Sequence, residues 1–571
     1  MDDARRRTYT PLVAILLFAA ALQAVLWVRL PTISADGIIF IRIARELTEA
    51  PLATMRVEDQ HPGFPMMLLA ASQVVRWLGI HGEPDVWVLG GMIVSFVCGL
   101  LSVAVVWLFA RDLFDEKIAN VAAIGFTVLP FPRTLAVDAQ SDVPHAFFYL
   151  LAAWLATTGL ARGEYRRLAG AGLASGLAFW IRPEGLEVAL VAVPVLAAYG
   201  WRAGWPWRRV SFSCAAVAGT ALVVAAPYMV LAGKLTSKQL QFFKTKPAPT
   251  YLERLAEAEV SDPPARPKQP AAVAPVPKPG PAPKPPAGKP RPAPNLSAPP
   301  APEARYSAAL VLSVVGSAFA AFINSICQGL KFVFIPFYLF GDVALYWRRP
   351  AIVQIVFLSL LGALHIVVLM TVFVISGYIA HRHVIPLVGL AMPFAALGLV
   401  ESSACVARRL ASLSRNASAN DARVGRLTKV CTAATLLVCC GLVMPYTLRR
   451  LNYEFVPVME ATAWIESRAE PGTGILCNSP YVKFYAKLPV AELSHKAPSL
   501  GEALGKAPHA RYDYVVMHVN AYGYQPQWLD ELAPHYRVAR EFPDLLSHEK
   551  DRTVMVLEAK RPVRNAGLPS S

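Results

Sequence analysis

Long apolar runs separated by short basic clusters make up most of the chain as far as Met444. Many of these runs hold about 20 residues, the number of helical residues that crosses the roughly 30 Å hydrocarbon core of a bilayer. Counting the runs against the clusters predicts about eleven spans, the first from Pro11 to Leu30. We therefore predict an α-helical polytopic membrane protein.

The basic clusters predict which loops face the cytoplasm, because short cytoplasmic loops are enriched in Lys and Arg. Clusters at Arg5 to Arg7, Arg162 to Arg167 and Arg202 to Arg209 recur after alternate runs. This alternation predicts a cytoplasmic N-terminus and, with an odd number of spans, an extracytoplasmic C-terminus. The predicted location is the bacterial inner membrane.

Changes in composition predict four parts: an N-terminal transmembrane module with outer loops (1–250), a proline-rich outer loop (251–306), C-terminal transmembrane helices (307–447) and a small extracytoplasmic domain (448–571). Between Pro263 and Pro302, 17 of 40 residues are proline. Proline fixes φ and removes a backbone donor, so this segment is expected to be extended and disordered. A solvated tether and a contact with anionic lipid or cell-wall polymer are the two alternatives.

The C-terminal part changes from apolar spans to alternating helix-like and strand-like stretches. Val456 to Arg468 and Gln527 to Ala533 have helical patterns, whereas Gly474 to Cys477, Tyr512 to His518 and Thr553 to Leu557 are strand-like. These stretches predict a small α/β domain. None of the strands is followed by a glycine-rich phosphate-binding motif, so nucleotide binding there has no support.

Overall composition agrees with a membrane protein, since 55% of the residues are hydrophobic and only 16% are charged. The net charge of +16 could suggest nucleic acid. The basic residues, however, lie in short clusters between apolar runs rather than along one exposed face. We therefore predict no nucleic-acid partner.

Asp36 is the first residue with catalytic promise, because it follows the first apolar run within a few residues. A carboxylate this close to hydrocarbon is poorly solvated, which raises its basicity, and a nearby cation would keep it ionised. Both conditions suit a general base. The alternative is that Asp36 caps the amphipathic helix predicted from Ile38 to Leu47.

The other predicted outer loops also carry ionisable groups beside helix ends. They are His61 in the first loop, Asp138 and Asp142 in the second, Arg182 before Pro183-Glu184, and His381-Arg382-His383 in a later loop. Either aspartate could orient an acceptor or share a metal, and arginine suits phosphate oxygens. Turn caps, helix caps and snorkelling arginines are the structural alternatives. Their convergence at one membrane face favours function, because charges near lipid are costly.

Taken together, these motifs resemble GT-C glycosyltransferases, specifically the branch of protein O-mannosyltransferases and aminoarabinose transferases. The matching features are Asp36-Gly37, His61-Pro62-Gly63-Phe64-Pro65, Asp138 to Asp142, Arg182-Pro183-Glu184 and His381-Arg382-His383-Val384-Ile385-Pro386. The resemblance implies inverting transfer of a sugar from a polyprenyl-phosphate donor on the extracytoplasmic face.

The same resemblance makes Asp36 the catalytic carboxylate, with Asp138 and Asp142 as further catalytic candidates. It also implies that basic groups stabilise the leaving phosphate, and the candidates are His61, Arg182, Arg382 and His383. Two features depart from the family pattern. Aminoarabinose transferases tend to carry lysine where this chain has His61, and the proline-rich insertion is not a family feature.

The implied partners are the polyprenyl-phosphate sugar, membrane lipids and a lipid, glycan or protein acceptor. No cofactor is predicted with certainty, although the aspartates could hold a divalent cation. A transporter or flippase of a lipid-linked or cell-envelope substrate is the alternative function. A non-catalytic envelope scaffold is the third.

Overall fold

The structure is a computed structural model that describes residues 2–233, 308–348, 350–413, 420–493, 512–519, 527–543 and 553–560. By its contacts the chain divides into one unit made of 1–240, 324–367 and 380–571, and a second made of 241–323 and 368–379. The predicted proline-rich loop, 251–306, lies outside the described residues.

Eleven helices precede residue 234. They are α1 (Asp2–Val28), α2 (Ala35–Glu49), α3 (Pro51–Val57), α4 (Gly63–Trp77), α5 (Asp85–Leu113), α6 (Glu116–Val128), α7 (Pro130–Thr134), α8 (Asp142–Arg162), α9 (Tyr165–Ile181), α10 (Glu187–Arg202) and α11 (Trp207–Ala232). Short 3₁₀ turns follow α7 and α9, at Leu135–Val137 and Pro183–Leu186.

Five further helices lie in the described residues between 308 and 447. They are α12 (Ala308–Gly329), α13 (Ile335–Arg348), α14 (Ile352–Ser376), α15 (Ile385–Ser412) and α16 (Asn420–Thr447). A 3₁₀ turn at His381–Val384 leads directly into α15.

Nine of the described helices are long and apolar enough to cross a membrane, and the bent pair formed by α6 and Pro130–Val137 would make ten. Helices α9 and α13 are shorter, with 17 and 14 residues. The predicted polytopic helical fold is confirmed.

Helix α12 lies within the predicted C-terminal transmembrane part, 307–447, but it was not counted among the eleven predicted spans. Its apolar run follows the proline-rich segment, and only Lys331 separates it from the next run. A single lysine is a weak sign of a loop, so the count of spans placed the chain's return to the membrane at Phe332 to Tyr346. The structure corrects that count by adding a helix from Ala308 to Gly329.

Arg133 is fully buried and ties three helical segments together beneath the second outer loop. Its guanidinium donates to Oε1 of Gln23 on α1 and, at 3.1 Å, to the carbonyl oxygen of Gly99 on α5. Burial of a cation without such partners would be costly. These bonds fix the bend that carries the chain from α7 toward α8.

The tail forms the predicted small α/β domain. Its elements are α17 (Val456–Glu466), α18 (Pro480–Tyr485), α19 (Gln527–Leu532), β1 (Ile475–Cys477), β2 (Val490–Glu492), β3 (Tyr514–Val519), β4 (Tyr536–Pro543) and β5 (Thr553–Ala559). The sheet order is β2-β1-β3-β5-β4, in which β1 pairs in parallel with β2 and β3 while β5 is antiparallel to β3 and β4.

The tail lies at the same end of the helices as Asp36. The Tyr485 hydroxyl is 2.8 Å from Oγ1 of Thr32, and Nδ2 of Asn452 donates to the Thr32 carbonyl oxygen at 2.9 Å. At the opposite end, Arg348 is 3.7 Å from Asp115. The tail and Asp36 therefore lie at one end of the helices, and Asp115 lies at the other.

Replacing Gly398 should destabilise the helix pair formed by α13 and α15. A Cβ at Gly398 would overlap the backbone carbonyl of Phe337, and the backbone cannot move aside as a flexible side chain could. We expect Gly398→Ala to cost about 1–3 kcal/mol of stability, the usual range for overpacking. Thermal unfolding of the purified protein in detergent measures this.

Gly362→Ala on α14 is the matched control. Its added methyl group would meet no described atom within 4 Å. It should leave the unfolding temperature unchanged or raise it slightly, because alanine favours helix over glycine. Equal losses in the two variants would contradict the close packing of α13 against α15.

Candidate active site

The first outer loop places Asp36 at the start of α2, where it remains accessible. Ser34 is the helix cap, since its hydroxyl oxygen accepts from the Gly37 amide at 3.3 Å. Asp36 therefore does not serve as the cap, which was the structural alternative. Its side chain is 37% exposed, and its Oδ2 accepts a hydrogen bond from Nη1 of Arg382.

Asp138 in the second outer loop lies beneath Asp36 and holds the first loop in place. Its Oδ1 accepts from the backbone amides of Ser34 at 3.0 Å and Ala139 at 2.8 Å. Burial raises the pKa of Asp138, while the hydrogen bonds from Ser34 oppose that shift. Its Oδ1 therefore faces backbone donors, whereas its Oδ2 accepts from the side-chain amide of Gln140 at 3.3 Å.

Gln140 connects the first two loops to Arg382. Its Nε2 donates to the Ser34 hydroxyl oxygen at 2.7 Å, and its Oε1 accepts from Arg382 Nη1 at 3.4 Å. The sequence analysis did not single out Gln140. A neutral amide between two aspartates carries no charge or periodicity signal, so only the fold reveals its role.

Asp142 and Arg182 form a second acid–base pair beside the first. Arg182 Nη2 lies 2.7 Å from Asp142 Oδ1, and Arg182 Nε donates to the Ser141 hydroxyl at 3.4 Å. The Asp142 side chain is only 2% exposed, against 20% for Arg182. The pair therefore presents its cation, rather than its acid, toward the surroundings.

The turn that carries Arg182 is fixed by close backbone packing. The Ser175 hydroxyl donates to the Gly185 carbonyl oxygen at 2.7 Å. A side chain at Gly185 would collide with the backbone of Ala178 and Phe179, so only glycine allows this approach. The Arg182-Pro183-Glu184-Gly185 segment is therefore held rigidly against the end of α9.

His61 is buried, with 3% of its surface exposed. Its Nδ1 donates to the Phe179 carbonyl oxygen at 2.7 Å, and its ring packs 5.0 Å from that of Tyr228. A Cβ at Gly63 would come within 2.5 Å of the Trp180 carbonyl oxygen. The His61-Pro62-Gly63 segment thus anchors the first loop to α9, and the structure does not bring His61 into the Asp36–Arg382 contact.

The tail domain contributes Asn452 to the same group of residues. Besides its bond to Thr32, Asn452 Nδ2 lies 3.5 Å from Asp138 Oδ2. This residue was also missed by the sequence analysis, because it is separated from Asp138 by more than 300 residues. The C-terminal part of the chain therefore helps to hold the Asp36 loop.

The described residues contain no group of three or more His, Cys, Asp and Glu side chains arranged to hold a metal ion. Asp36 and Asp142 face arginines, and Asp138 faces backbone and side-chain amides. Donors of this kind do not suit a cation, which needs several oxygens directed at one point. The arrangement does not fit the divalent cation that the sequence left open.

A family comparison matches residues 82–230 with the model for dolichyl-phosphate-mannose-protein mannosyltransferase. The matched segment carries Asp138, Asp142 and Arg182, whereas Asp36 and Arg382 lie outside it. No curated protein matches the chain in sequence.

Solved structures resemble nearly the whole chain. ArnT from Cupriavidus metallidurans bound to undecaprenyl phosphate has a TM-score of 0.55 at 15% identity, over 95% of this chain and 97% of that chain. Its apo state has a TM-score of 0.53 at 14% identity with the same coverage. The Archaeoglobus fulgidus oligosaccharyltransferase tethered to an acceptor peptide has a TM-score of 0.50 at 12% identity, over 93% and 72%. The predicted GT-C fold is confirmed.

Asp138→Asn should destabilise the protein without removing any exposed charge. The asparagine oxygen can keep the amides of Ser34 and Ala139, which both donate to Oδ1. Its N–H₂ group, however, would replace Oδ2, which now accepts from the amide nitrogens of Gln140 at 3.3 Å and Asn452 at 3.5 Å, so buried donors would face donors. We expect a loss of about 1–3 kcal/mol, typical of an unsatisfied buried group. Thermal unfolding in detergent tests this.

Asp36→Asn provides the comparison in the same assay. The pair of Asp36 with Arg382 is partly exposed, and such pairs contribute about 0–1 kcal/mol. Its unfolding temperature should therefore stay close to that of the wild type. If Asp138→Asn were as stable as Asp36→Asn, the positioning role of Asp138 would be wrong.

Proposed function

We propose that this protein is a membrane glycosyltransferase that moves a sugar from a polyprenyl-phosphate donor to an acceptor at the extracytoplasmic face. The observation that carries the proposal is the accessible Asp36 carboxylate in contact with Arg382 at the end of the bundle where four loops meet. The GT-C fold and the match to a dolichyl-phosphate-mannose-dependent family support it.

Asp36 acts as the base in this proposal. The acceptor atom bonds to the anomeric carbon while the bond from that carbon to the donor phosphate oxygen breaks. The electron pair of the broken bond goes to the phosphate, and the acceptor proton goes to Asp36. A single displacement of this kind inverts the configuration of the anomeric carbon. Arg382 holds the Asp36 carboxylate in place through their hydrogen bond.

Arg382 also stabilises the leaving phosphate. A guanidinium has five N–H donors, so Arg382 can hold Asp36 and a phosphate oxygen at the same time. Its side chain is 30% exposed, which allows a ligand to reach it. Arg182, held by Asp142, supplies a second cation nearby. His61 and His383 are the other members of the predicted phosphate-binding set, and His61 contributes to it by anchoring the first loop to α9.

Asp138 and Asp142 serve the same reaction indirectly. Asp138 fixes the backbone before Asp36, and Asp142 offsets the charge of Arg182. Because both side chains are at most 4% exposed, they are suited to holding other groups rather than contacting the acceptor. Their predicted catalytic role is therefore proposed here as positioning.

The proposed orientation follows from the basic clusters. They predict that Arg162 to Arg167 and Arg202 to Arg209 face the cytoplasm, which leaves Asp36 and the tail domain outside. The protein would then work in a bacterial inner membrane on a donor in its outer leaflet. A lipid, glycan or protein could serve as acceptor.

A transporter is the weaker alternative. Transporters place their substrate sites near the bilayer midplane. The accessible charged pair here lies at the helix ends, and the matched fold belongs to proteins of the glycosyltransferase class.

The division of the chain into four parts, with boundaries at 250, 306 and 447, is also part of the proposal.

Asp36→Asn should abolish sugar transfer in a protein that stays folded. Purified protein in liposomes would be supplied with radiolabelled undecaprenyl-phosphate sugars, including mannose, glucose, galactose, arabinose and aminoarabinose, together with a membrane lipid extract as acceptor. Removing a general base usually slows a reaction by about 10²–10⁴-fold. We expect turnover of at least one donor by the wild type and a loss of that size in the variant.

The exposed Asp59 in the same outer loop provides the matched control. Asp59→Asn removes the same charge without touching the Asp36–Arg382 pair and should retain wild-type turnover. Equal turnover by Asp36→Asn and the wild type would refute Asp36 as the base. Donor movement across the membrane without any sugar transfer would instead support the transporter.

Arg382→Gln should also lower the rate, because it removes a charged donor from the leaving phosphate. Loss of one well-placed donor to a developing anion typically costs about 10²–10³-fold in kcat. Arg382→Lys should recover part of this loss, since it restores the charge without the planar fork. Steady-state kinetics with the accepted donor measure both. A kcat unaffected by Arg382→Gln would contradict the assignment.

A further inference from the structure

A second polar cluster lies buried among the helices behind the Asp36 loop. It consists of Glu187 at the start of α10, His365 on α14 and Tyr149 on α8. His365 Nδ1 is 2.7 Å from Glu187 Oε2, and the Tyr149 hydroxyl donates to the same oxygen at 2.9 Å. The side chains of His365 and Glu187 are 2% and 5% exposed.

The other ring nitrogen of His365 fixes the protonation of the pair. Its Nε2 lies 3.2 Å from the His383 carbonyl oxygen, which can only accept, so Nε2 carries a hydrogen. One further proton lies between Nδ1 and Glu187. The pair is then either imidazolium with carboxylate or imidazole with carboxylic acid, and it is electrically neutral in both forms. Neutrality makes its burial tolerable.

The His383 carbonyl links this cluster to the active site. His383 belongs to the 3₁₀ turn His381–Val384, and the preceding residue of that turn, Arg382, contacts Asp36. His365 therefore joins the membrane helices to the backbone that aims Arg382. Sequence patterns could not show this, because Glu187 and His365 are 178 residues apart and lie within apolar runs.

We propose that His365, held by Glu187 and Tyr149, is a positioning residue that sets the His381–Val384 turn and so directs Arg382 toward Asp36 and the donor phosphate. The effect on the donor phosphate rests on the proposed function. The effect of His365 on the position of the turn can be tested without any sugar donor. Buried hydrogen-bonded networks of this kind hold functional groups in one geometry when all members are satisfied.

The test is a double-mutant cycle of His365→Gln and Arg382→Gln, read out as the Kd for undecaprenyl phosphate from intrinsic fluorescence. A single glutamine amide cannot replace two opposed ring nitrogens, so the turn should loosen. We expect His365→Gln to weaken binding about tenfold when Arg382 is present and less than about twofold when Arg382 is already glutamine. Such non-additivity is the signature of residues acting in one network.

Hydrogen exchange tests the role of His365 without any ligand. In His365→Gln, the backbone amides of residues 381–384 should exchange faster, whereas Gln354→Leu should leave them unchanged. Gln354 is a buried polar residue on the same helix, three turns from His365, and makes the matched control. Tyr149→Phe removes only one bond to Glu187 and should give a smaller acceleration, which keeps the test usable if His365→Gln folds poorly.

The outcomes separate the two proposals. Faster exchange in His365→Gln, together with no binding of undecaprenyl phosphate by the wild type, would support the positioning role of His365 and refute the proposed function. Phosphate binding by the wild type with additive losses in the cycle would refute the role of His365 and leave the proposed function standing. Unchanged exchange in both His365→Gln and Tyr149→Phe would also overturn the inference.

Discussion

The end of the helix bundle that carries Asp36 depends on one hydrogen bond. The buried carboxylate of Asp138 accepts it from the backbone amide of Ser34. That bond joins the loop between α1 and α2 to the loop before α8. Ser34 then caps α2, and the cap determines where Asp36 points. Because a buried carboxylate is costly without donors, the two loops are stable together and unstable apart. Gln140 links the same loops to Arg382 through its own hydrogen bonds. The inaccessible carboxylate of Asp138 therefore sets the geometry of the accessible carboxylate of Asp36.

Asp36, Asp142 and Glu187 each have a basic partner, but the three pairs differ in how far they are buried. Asp142 with Arg182 and Glu187 with His365 have acids that are nearly inaccessible, and their roles are to offset charge and hold position. Asp36 with Arg382 is the partly open pair. A contact that water can reach can be exchanged for a ligand at little cost, whereas a buried pair cannot. The difference in burial therefore leaves Asp36 with Arg382 as the pair that suits the proposed reaction.

The sequence predicted the features that depend on local pattern and missed those that depend on tertiary contact. Apolar runs located most spans, and the strands around Cys477, His518 and Leu557 appeared where expected. The prediction that the charged loops lie near one another followed from their shared predicted side of the membrane. Gln140 and Asn452 gave no signal, because neutral amides in loops have many possible partners. The edge strand β4 was missed because most of its positions are exposed and it lacks the apolar pattern of a core strand.

The tail contacts the loop that carries Asp36. Asn452 and Tyr485 both bond to Thr32, four residues before Asp36. Val458 and Tyr481 of the tail share one apolar cluster with Phe40 and Phe64 of the membrane part. Apolar burial supplies most of the association free energy, and the hydrogen bonds fix its direction. The loop that carries Asp36 is therefore held both by Asp138 and by the tail. These contacts limit the orientations available to the Asp36 carboxylate.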